Sequence, residues 1–573
     1  MRLPLFFILT ALVFSNLGCP SSQTSNTSGK AEGDTNSKTS AVANASSRFV
    51  DVAESSGIHY EWKIPGKRPL NILQTIGNGC AFLDFNQDGN LDILLVGSPL
   101  ALFQGDGKGQ FTNITEKAGL STLKGHFLGC AVGDVDNDGL DDIYISGYQE
   151  GRLLHNEFGK QKGTASYFRD ITKESGLKPQ PWGTSCAFAE TVPGSGKLDL
   201  YICNYAIFGT NTEPQLCEEH GKMTSCGPRY YKPRQGVFYR NNGKGVFTEY
   251  TKESGLLKTT GRGLGVGFAD FAEDGRQGFA IANDEAPGDL LRPIIGKEKG
   301  KPAFESIAEM SGTAYDRDGN VHGGMGMDWG DYDNDSRLDL FVATFQNESK
   351  SLYHNDGEAR FADLGIPTNI GTATIPYVAF GCKFLDYDND GWLDIVIANG
   401  HVQDNIQEIY PNSTFRQTSQ LLRNRATTPL AFDDVTASTG KDLAKPIVGR
   451  GLAIGDYDND GKIDILIVDS EGTPLLLHNE SPNSKNHWLG IQLTGTKSNR
   501  NGYGAVLTLT SGDKKWIRHC HSDGSYLSAS DSRVHFGLGE LTKMDSLQIR
   551  WADGSTETHN NLQIDRYISL KQQ

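Results

Sequence analysis

Five short stretches of the chain carry one acidic pattern: DFNQDGNLD (Asp84–Asp92), DVDNDGLDD (Asp134–Asp142), DYDNDSRLD (Asp331–Asp339), DYDNDGWLD (Asp386–Asp394) and DYDNDGKID (Asp456–Asp464). Side-chain oxygens recur at positions 1, 3, 5 and 9, and position 7 is the usual place for a backbone carbonyl ligand. The expected metal ligands are therefore Asp84, Asn86, Asp88, Asn90 and Asp92, then Asp134, Asp136, Asp138, Leu140 and Asp142. The series continues as Asp331, Asp333, Asp335, Arg337 and Asp339, and as Asp386, Asp388, Asp390, Trp392 and Asp394. Asp456, Asp458, Asp460, Lys462 and Asp464 complete it. Gly at position 6 permits the sharp reversal that points alternate carboxylates at one centre. Hard oxygen donors in this number suit Ca²⁺, and no His or Cys within the pattern favours zinc. The likeness to an EF-hand loop is partial, because the ligands stop at position 9 and strands, not helices, flank them. The expected cofactor is Ca²⁺ at about five structural sites, with binding coupled to folding because clustered carboxylates repel without it. The plain alternative is that Asp, Asn and Gly here only make turns; five copies in one phase argue against it.

Two worn copies, ETVPGSGKLD (Glu190–Asp199) and DFAEDGRQG (Asp270–Gly278), stand between the second and third clear ones. The first lacks the donor ladder at Glu190-Thr191-Val192-Pro193, and Ala272 and Gly278 remove ligands from the second, so neither is expected to bind a cation. Such loops need rigid flanks. Each clear copy follows an apolar, Gly-rich run (GNGCAFLD, FLGCAVGD, GMGMDWGD, FGCKFLD, GLAIGD) and precedes a β-branched one (ILLVG, IYISG, LFVAT, IVIAN, ILIVD), which is strand grammar. Two more elements recur in the same rotation. An F-x-D/E element starts at Phe49, Phe111, Phe168, Phe247, Phe304, Phe361 and Phe432, and an L-L-x-N-like element reads ALFQG, RLLHN, VFYRN, DLLRP, SLYHN, QLLRN and LLLHN. Four short strands per unit, at a mean spacing of 62 residues between first and last acidic loops, predict an all-β, seven-bladed β-propeller. The last unit lacks an F-x-D strand and the first such strand precedes every loop, so Phe49–Ser55 should complete the last blade and leave no open edge.

Acidic loops of the DYDNDGKID type within such blades resemble the FG-GAP/VCBS repeats of integrin-α-like propellers. The tail segments NHWLGIQLTG (Asn486–Gly495), NGYGAVLTLTSG (Asn501–Gly512), DGSYLSASDSRVHFGLG (Asp523–Gly539) and LQIRWADGSTE (Leu547–Glu557) resemble an ASPIC/UnbV domain. Repeats and tail together, with ANGH (Ala398–His401) between them, are similar to the cartilage-acidic-protein-like family of secreted propeller proteins. That resemblance implies calcium binding and architecture, and no established reaction. The expected organisation is a signal peptide over 1–19, a disordered tether over 20–47, the propeller over 48–482 and a small β-sandwich or barrel-like ASPIC/UnbV domain over 483–573.

Composition agrees. The chain has 573 residues, 70 Asp+Glu against 54 Lys+Arg, a net charge of -16 and 68 Gly. That length exceeds one ordinary core, the glycine content demands many turns, and the acidic balance argues against nucleic acid as a partner. Met1-Arg2 and the apolar run to Leu17 have signal-peptide length and end at Leu17-Gly18-Cys19, which resembles a bacterial lipobox although Asn16 stands where Leu is usual. Cys19 is thus the expected lipidation site, with ordinary secretion as the alternative. Residues 20–47 carry almost nothing to bury. An exported protein of the bacterial cell envelope or medium is expected, monomeric and touching membrane only through that anchor.

Cys80, Cys130, Cys186 and Cys382 lie four residues before position 1 of their repeats, where Met327 and Leu452 stand elsewhere, so they read as buried apolar strand residues. Cys217 and Cys226 sit in a polar insertion, LCEEHGKMTSCG, and are expected to pair as a disulfide in an oxidising compartment; Cys203 and Cys520 have no evident partner. His519 and His521 share one strand face but lack a third ligand nearby, and His322 and His401 read as solvated loop residues near one end of the channel. No H-E-x-x-H, G-x-S-x-G, G-x-x-x-x-G-K-[ST] or C-x-x-C-H occurs. The leading expectation is a non-catalytic, calcium-stabilised binding module for a glycan or protein. The alternative is a metal-assisted carbohydrate-active enzyme with its site at the channel mouth, since a propeller site can draw residues from many blades without a linear motif.

Overall fold

The computed structural model describes residues 49–160, 166–209, 211, 213–295, 300–482 and 485–573. Over residues 49–482, seven four-stranded antiparallel sheets follow one another along the chain. The first runs Cys80–Leu83, Asp92–Leu95, Ala101–Gly105, Phe111–Asn113. Each later sheet repeats that order, and the seventh takes its outermost strand from the N-terminal side: Phe49–Asp51 pairs antiparallel with Leu475–Asn479, Phe49 opposite Asn479. The innermost strands neighbour one another in sequence and the seventh meets the first, so the sheets form a closed, propeller-like ring.

The sequence explains this local structure. The innermost strands Gly183–Ala189, Gly263–Ala269 and Ala379–Leu385 are buried at every residue, because both faces meet other sheets and the free edge faces the axis. Crowding there selects glycine: a Cβ on Gly326 would sit 2.1 Å from the Phe380 carbonyl oxygen of the next sheet. The asparagine that ends the third strand acts as a staple. Nδ2 of Asn156, Asn241, Asn355, Asn424 and Asn479 donates to the carbonyls of Phe85, Val135, Phe271, Tyr332 and Tyr387 at 2.7–3.0 Å, each in the acidic loop of the preceding sheet. All five are buried, so each satisfied amide ties two sheets together.

The tail forms two sheets. His487–Thr494 lies between Val534–Gly539 and the parallel Tyr567–Lys571, while Val506–Ser511 lies between Lys514–His519 and Ser546–Arg550, with Thr556–Asn560 outside. Their core of Leu489, Ile491, Leu507, Phe536 and Ile549 runs into Val135, Leu198 and Leu200 of the ring. The tail also fills the channel. The segment Asp523–Asp531 bonds to the innermost strand of every sheet in turn: Cys80 and Phe82, Cys130, Ser185, Phe268, Met327, Lys383 and Ile454. Those strands would otherwise leave edge groups unpaired, and the plug satisfies them. Its backbone is left-handed at Ser525 (φ 57°) and Leu527 (φ 57°), and Gly79 makes room, since a Cβ there would lie 1.8 Å from the Leu527 carbonyl oxygen. A site at the channel mouth, the alternative considered from sequence, would therefore stand against this plug and not over an open channel.

Candidate metal loops and an open mouth

The acidic loops join first to second strands and all lie at one end of the ring. Each is wound by its own carboxylates. In the first, second, sixth and seventh sheets the position-1 carboxylate accepts the amides of positions 5 and 6, as Asp84 does from Asp88 and Gly89 at 3.1 and 2.9 Å. The position-5 carboxylate accepts the amide of position 7 in all five loops. Position 4 takes a left-handed backbone, φ 56–61° at Gln87, Asn137, Asn334, Asn389 and Asn459, which is why Asn recurs there. The position-9 carboxylate is buried in all five loops. Both its oxygens accept backbone amides, as Asp142 does from Val135 (3.1 Å) and Asn156 (2.8 Å). Asp92, Asp339, Asp394 and Asp464 repeat this, so position 9 anchors the loop to the third strand whatever else it holds.

Other oxygens are left over. Asp136 Oδ1, Asp331 Oδ1, Asp388 Oδ1 and Asp458 Oδ1 are buried without a hydrogen-bond donor. In the fifth-sheet loop Asp335 N donates to Asp333 Oδ1 instead of Asp331, and one oxygen each of Asp331, Asp333 and Asp335 lies within 4.8 Å of the others. Burial pushes Asp92 up to about 8, Asp339 and Asp456 to about 7 and Asp134 to about 6. Buried, mutually repelling oxygens with no donor fit a hard divalent cation.

Three histidines that sequence reasoning missed lean over these loops. His155 Nε2 lies 3.1 Å from Asp136 Oδ2, His354 Nδ1 3.2 Å from Asp339 Oδ1 and His478 Nε2 3.1 Å from Asp458 Oδ2. Their signal was the His of RLLHN, SLYHN and LLLHN, one residue before the stapling Asn. The neighbouring carboxylates hold His155 up to about 10 and His354 to about 9. In the sixth sheet Arg423 takes the same place, its Nη2 2.8 Å from Asp388 Oδ2. The two worn copies dock the tail: Glu190 Oε2 accepts Asn499 N and Nδ2 at 2.7 and 3.0 Å, and Arg550 pairs with Asp270. Tyr567 Oη reaches Asp456 (2.8 Å) and Trp516 Nε1 reaches the Gly391 carbonyl (3.0 Å), so tail side chains lie over the loop end of the ring.

The other end, where the innermost strands begin, is concave. A cavity of about 350 Å³ sits there over a cluster that includes Phe380, Tyr526 and Leu527. It is roofed by the hairpin Leu216–Glu219/Lys222–Ser225, in which Cys217 and Cys226 are disulfide-bonded. That hairpin straps the mouth to the loop after the sixth sheet's second strand: Thr224 Oγ1 donates to Asn405 Oδ1 (2.8 Å), and Gln403 Nε2 and Tyr410 Oη donate to Glu219 (3.0 and 2.8 Å). A second groove, about 480 Å³, shares Glu219, Phe345 and Gln403 with the cavity and adds Gln346, Asn347 and Tyr410.

The remaining sequence candidates divide. Cys80, Cys130, Cys186, Cys203, Cys382 and Cys520 are buried free thiols. His401 is fully buried, which corrects the solvated reading: its Nδ1 accepts Gln403 N, its carbonyl accepts Arg450, and burial with that guanidinium holds it down to about 3. The ANGH segment thus cradles a buried arginine, Nη1 of Arg450 also donating to the Gly400 carbonyl. His322 pairs with Asp316 at 3.0 Å. His519, buried, and His521, half-buried, stack at 3.8 Å. Cys19 lies outside the described residues.

Parts of the propeller-like ring and of the tail match two known families. The FG-GAP-like repeat matches residues 84–145, 331–397 and 386–467, and ASPIC and UnbV matches 495–573. Among curated proteins the chain is similar to cartilage acidic protein 1. The Xenopus tropicalis protein is 25% identical over 84% of this chain and 71% of its own length, and the Homo sapiens protein 24% over 84% and 70%. The solved structure of BBS1N in complex with ARL6DN aligns at TM-score 0.40 and 8% identity, covering 76% of this chain and 98% of that one, too loosely to carry an argument.

Proposed function

We propose that this protein is an exported, calcium-stabilised binding module that takes a glycan at the mouth of the ring remote from its tail. One observation carries the reading: the chain plugs its own channel and covers the loop end, while the strapped mouth stays concave and lined by tyrosine, phenylalanine and side-chain amides. Aromatic faces with planar amides and carboxylates are the groups that hold sugar rings and their hydroxyls. The loops serve that mouth from a distance, because Ca²⁺ at about five of them would pin the turns that the asparagine staples link. The N-terminal run supports export, and Cys19 is the proposed lipidation site. A glycan array probed with the full chain tests the reading. A hit that is lost in Tyr410→Ala with unchanged melting supports it. A blank array with capture of a protein ligand replaces glycan by protein.

A catalytic reading at the same mouth draws on one feature, the convergence of Asp284 and Glu348 described below. New reducing ends appearing in a bound oligosaccharide would favour it.

A further inference from the structure

The cavity under the strap is acidic without compensation from its own walls. Asp284, Glu285, Glu348, Glu218 and Glu219 line it, and no Lys, Arg or His does among the described residues. Around its rim, Arg229 Nε pairs with Glu285 at 2.9 Å, and Arg262 Nη1 bonds the Glu285 carbonyl from behind. Asp284 is 9% exposed; Tyr205 Oη donates to its Oδ2 at 2.5 Å, while Oδ1 accepts no hydrogen bond from the described residues. Glu348 Oε2 is held towards it by the amides of Gly323 (3.0 Å) and Phe345 (3.1 Å). Both stand beside Gly323, where a Cβ would lie 3.1 Å from Asp284 Oδ1 and 3.8 Å from Glu348 Oε2, so the glycine lets the two carboxylates stand close together. They share the wall of the cavity with Tyr205 and Phe345. Burial, with Glu285 and Glu348 adding to it, pushes Asp284 up to about 7, as expected of a carboxyl that lacks a cation.

A metal ion fits poorly, because two carboxylates and a phenol fall short of the six to eight oxygens that Ca²⁺ collects. An organic ammonium fits well. Its three donors match Oδ1 of Asp284 and the free lone pairs of Glu348, and aromatic rings at the wall favour a cation. The groove that continues from the cavity through Gln403, Gln346 and Asn347 offers amides to hydroxyl groups, not a second apolar slot for an aliphatic stem. We propose that the cavity binds the free ammonium of an amino sugar within a longer glycan, an inference that rests on the glycan reading of the mouth.

Calorimetry of the full chain at neutral pH tests it with three probes: a β-1,4-linked glucosamine tetramer, the same tetramer fully N-acetylated, and tetralysine. The expected result is that the free-amine tetramer binds at least tenfold more tightly than the acetylated one. That preference should vanish in Asp284→Asn and shrink in Glu348→Gln, with neither variant melting below the parent. Equal affinity for the two tetramers would overturn the ammonium assignment and leave the glycan reading standing. Binding of neither would overturn both. Tetralysine bound as tightly, with the same dependence on Asp284, would overturn the sugar, and so would an amine preference that persists in folded Asp284→Asn.

Discussion

At the loop end of the ring most carboxylates are held by backbone amides, histidines or an arginine, and at the mouth the partly held Asp284 and Glu348 still line an open cavity. Position-1 and position-9 carboxylates collect backbone amides, Asp388 has Arg423, Asp136 and Asp458 have histidines, and the worn Asp270 has Arg550 from the tail. What remains there, among the described residues, is one buried oxygen without a donor in each of four loops, at Asp136, Asp331, Asp388 and Asp458, where the proposed structural cation would sit. Asp284 and Glu348 instead face a cavity large enough for an organic ligand. The lesson is that a carboxylate's neighbours, more than its burial, separate structural from recognitional acid. Asp92 in the loops and Asp284 at the mouth are both buried and both raised in pKa.

The comparison breaks first at the plug. Leu527 is fully buried against the innermost strands, and Leu527→Asp would put an unpaired carboxylate where seven sheets meet. A loss of roughly 3–5 kcal/mol is expected in urea unfolding. If instead the tail alone loosened and the ring melted as before, ring and tail would be independent and the plug incidental. Next comes the cation. Excess chelator should lower Tm by many degrees, because a ligand present at a thousand times its Kd contributes about 4 kcal/mol per site; an unmoved melting curve would mean that histidines, Arg423 and amides already balance the loops.

At the mouth the sign of the pH effect is diagnostic. Asp284 titrates near 7 in the fold and near 4 when unfolded, so its ionisation costs stability progressively as pH rises from about 4 to 7. Asp284→Asn should therefore raise Tm at pH 8 and leave it almost unchanged at pH 4. A drop at pH 8 would give the carboxylate a structural role like those of the loops. The smallest effect concerns Ser336, which holds position 6 of the fifth-sheet loop at φ 79° where its counterparts are glycine. Ser336→Gly should stabilise by about 0.5–1 kcal/mol by relieving a left-handed backbone; no gain in Tm would show that the loop tolerates serine there without strain.

The sequence by itself determined what depends on local chemistry. The D-x-D-x-D-G spacing marks turns that converge oxygens, the flanking β-branched runs mark strands, and the phase of Phe49 against the last loop marks where the ring closes. The pairing of Cys217 with Cys226 was equally legible, because both thiols lie in one polar insertion, nine positions apart. Tertiary structure decided everything that joins distant segments. Position 9 looks like one ligand among five, yet its two oxygens serve one amide of its own loop and one of the third strand. The His before three of the stapling asparagines, at His155, His354 and His478, reads as a solvated strand residue until the third strand folds back beside the loop. The tail motif DGSYLSASD gives no hint that it threads the channel, since its bonds go to seven strands spread over some four hundred residues. The acid pair of the mouth, Asp284 and Glu348, is set in different sheets with no motif between them. Local spacing can encode a turn and its donors, whereas a plug or a pocket exists only once the ring has closed, because its partners meet nowhere else.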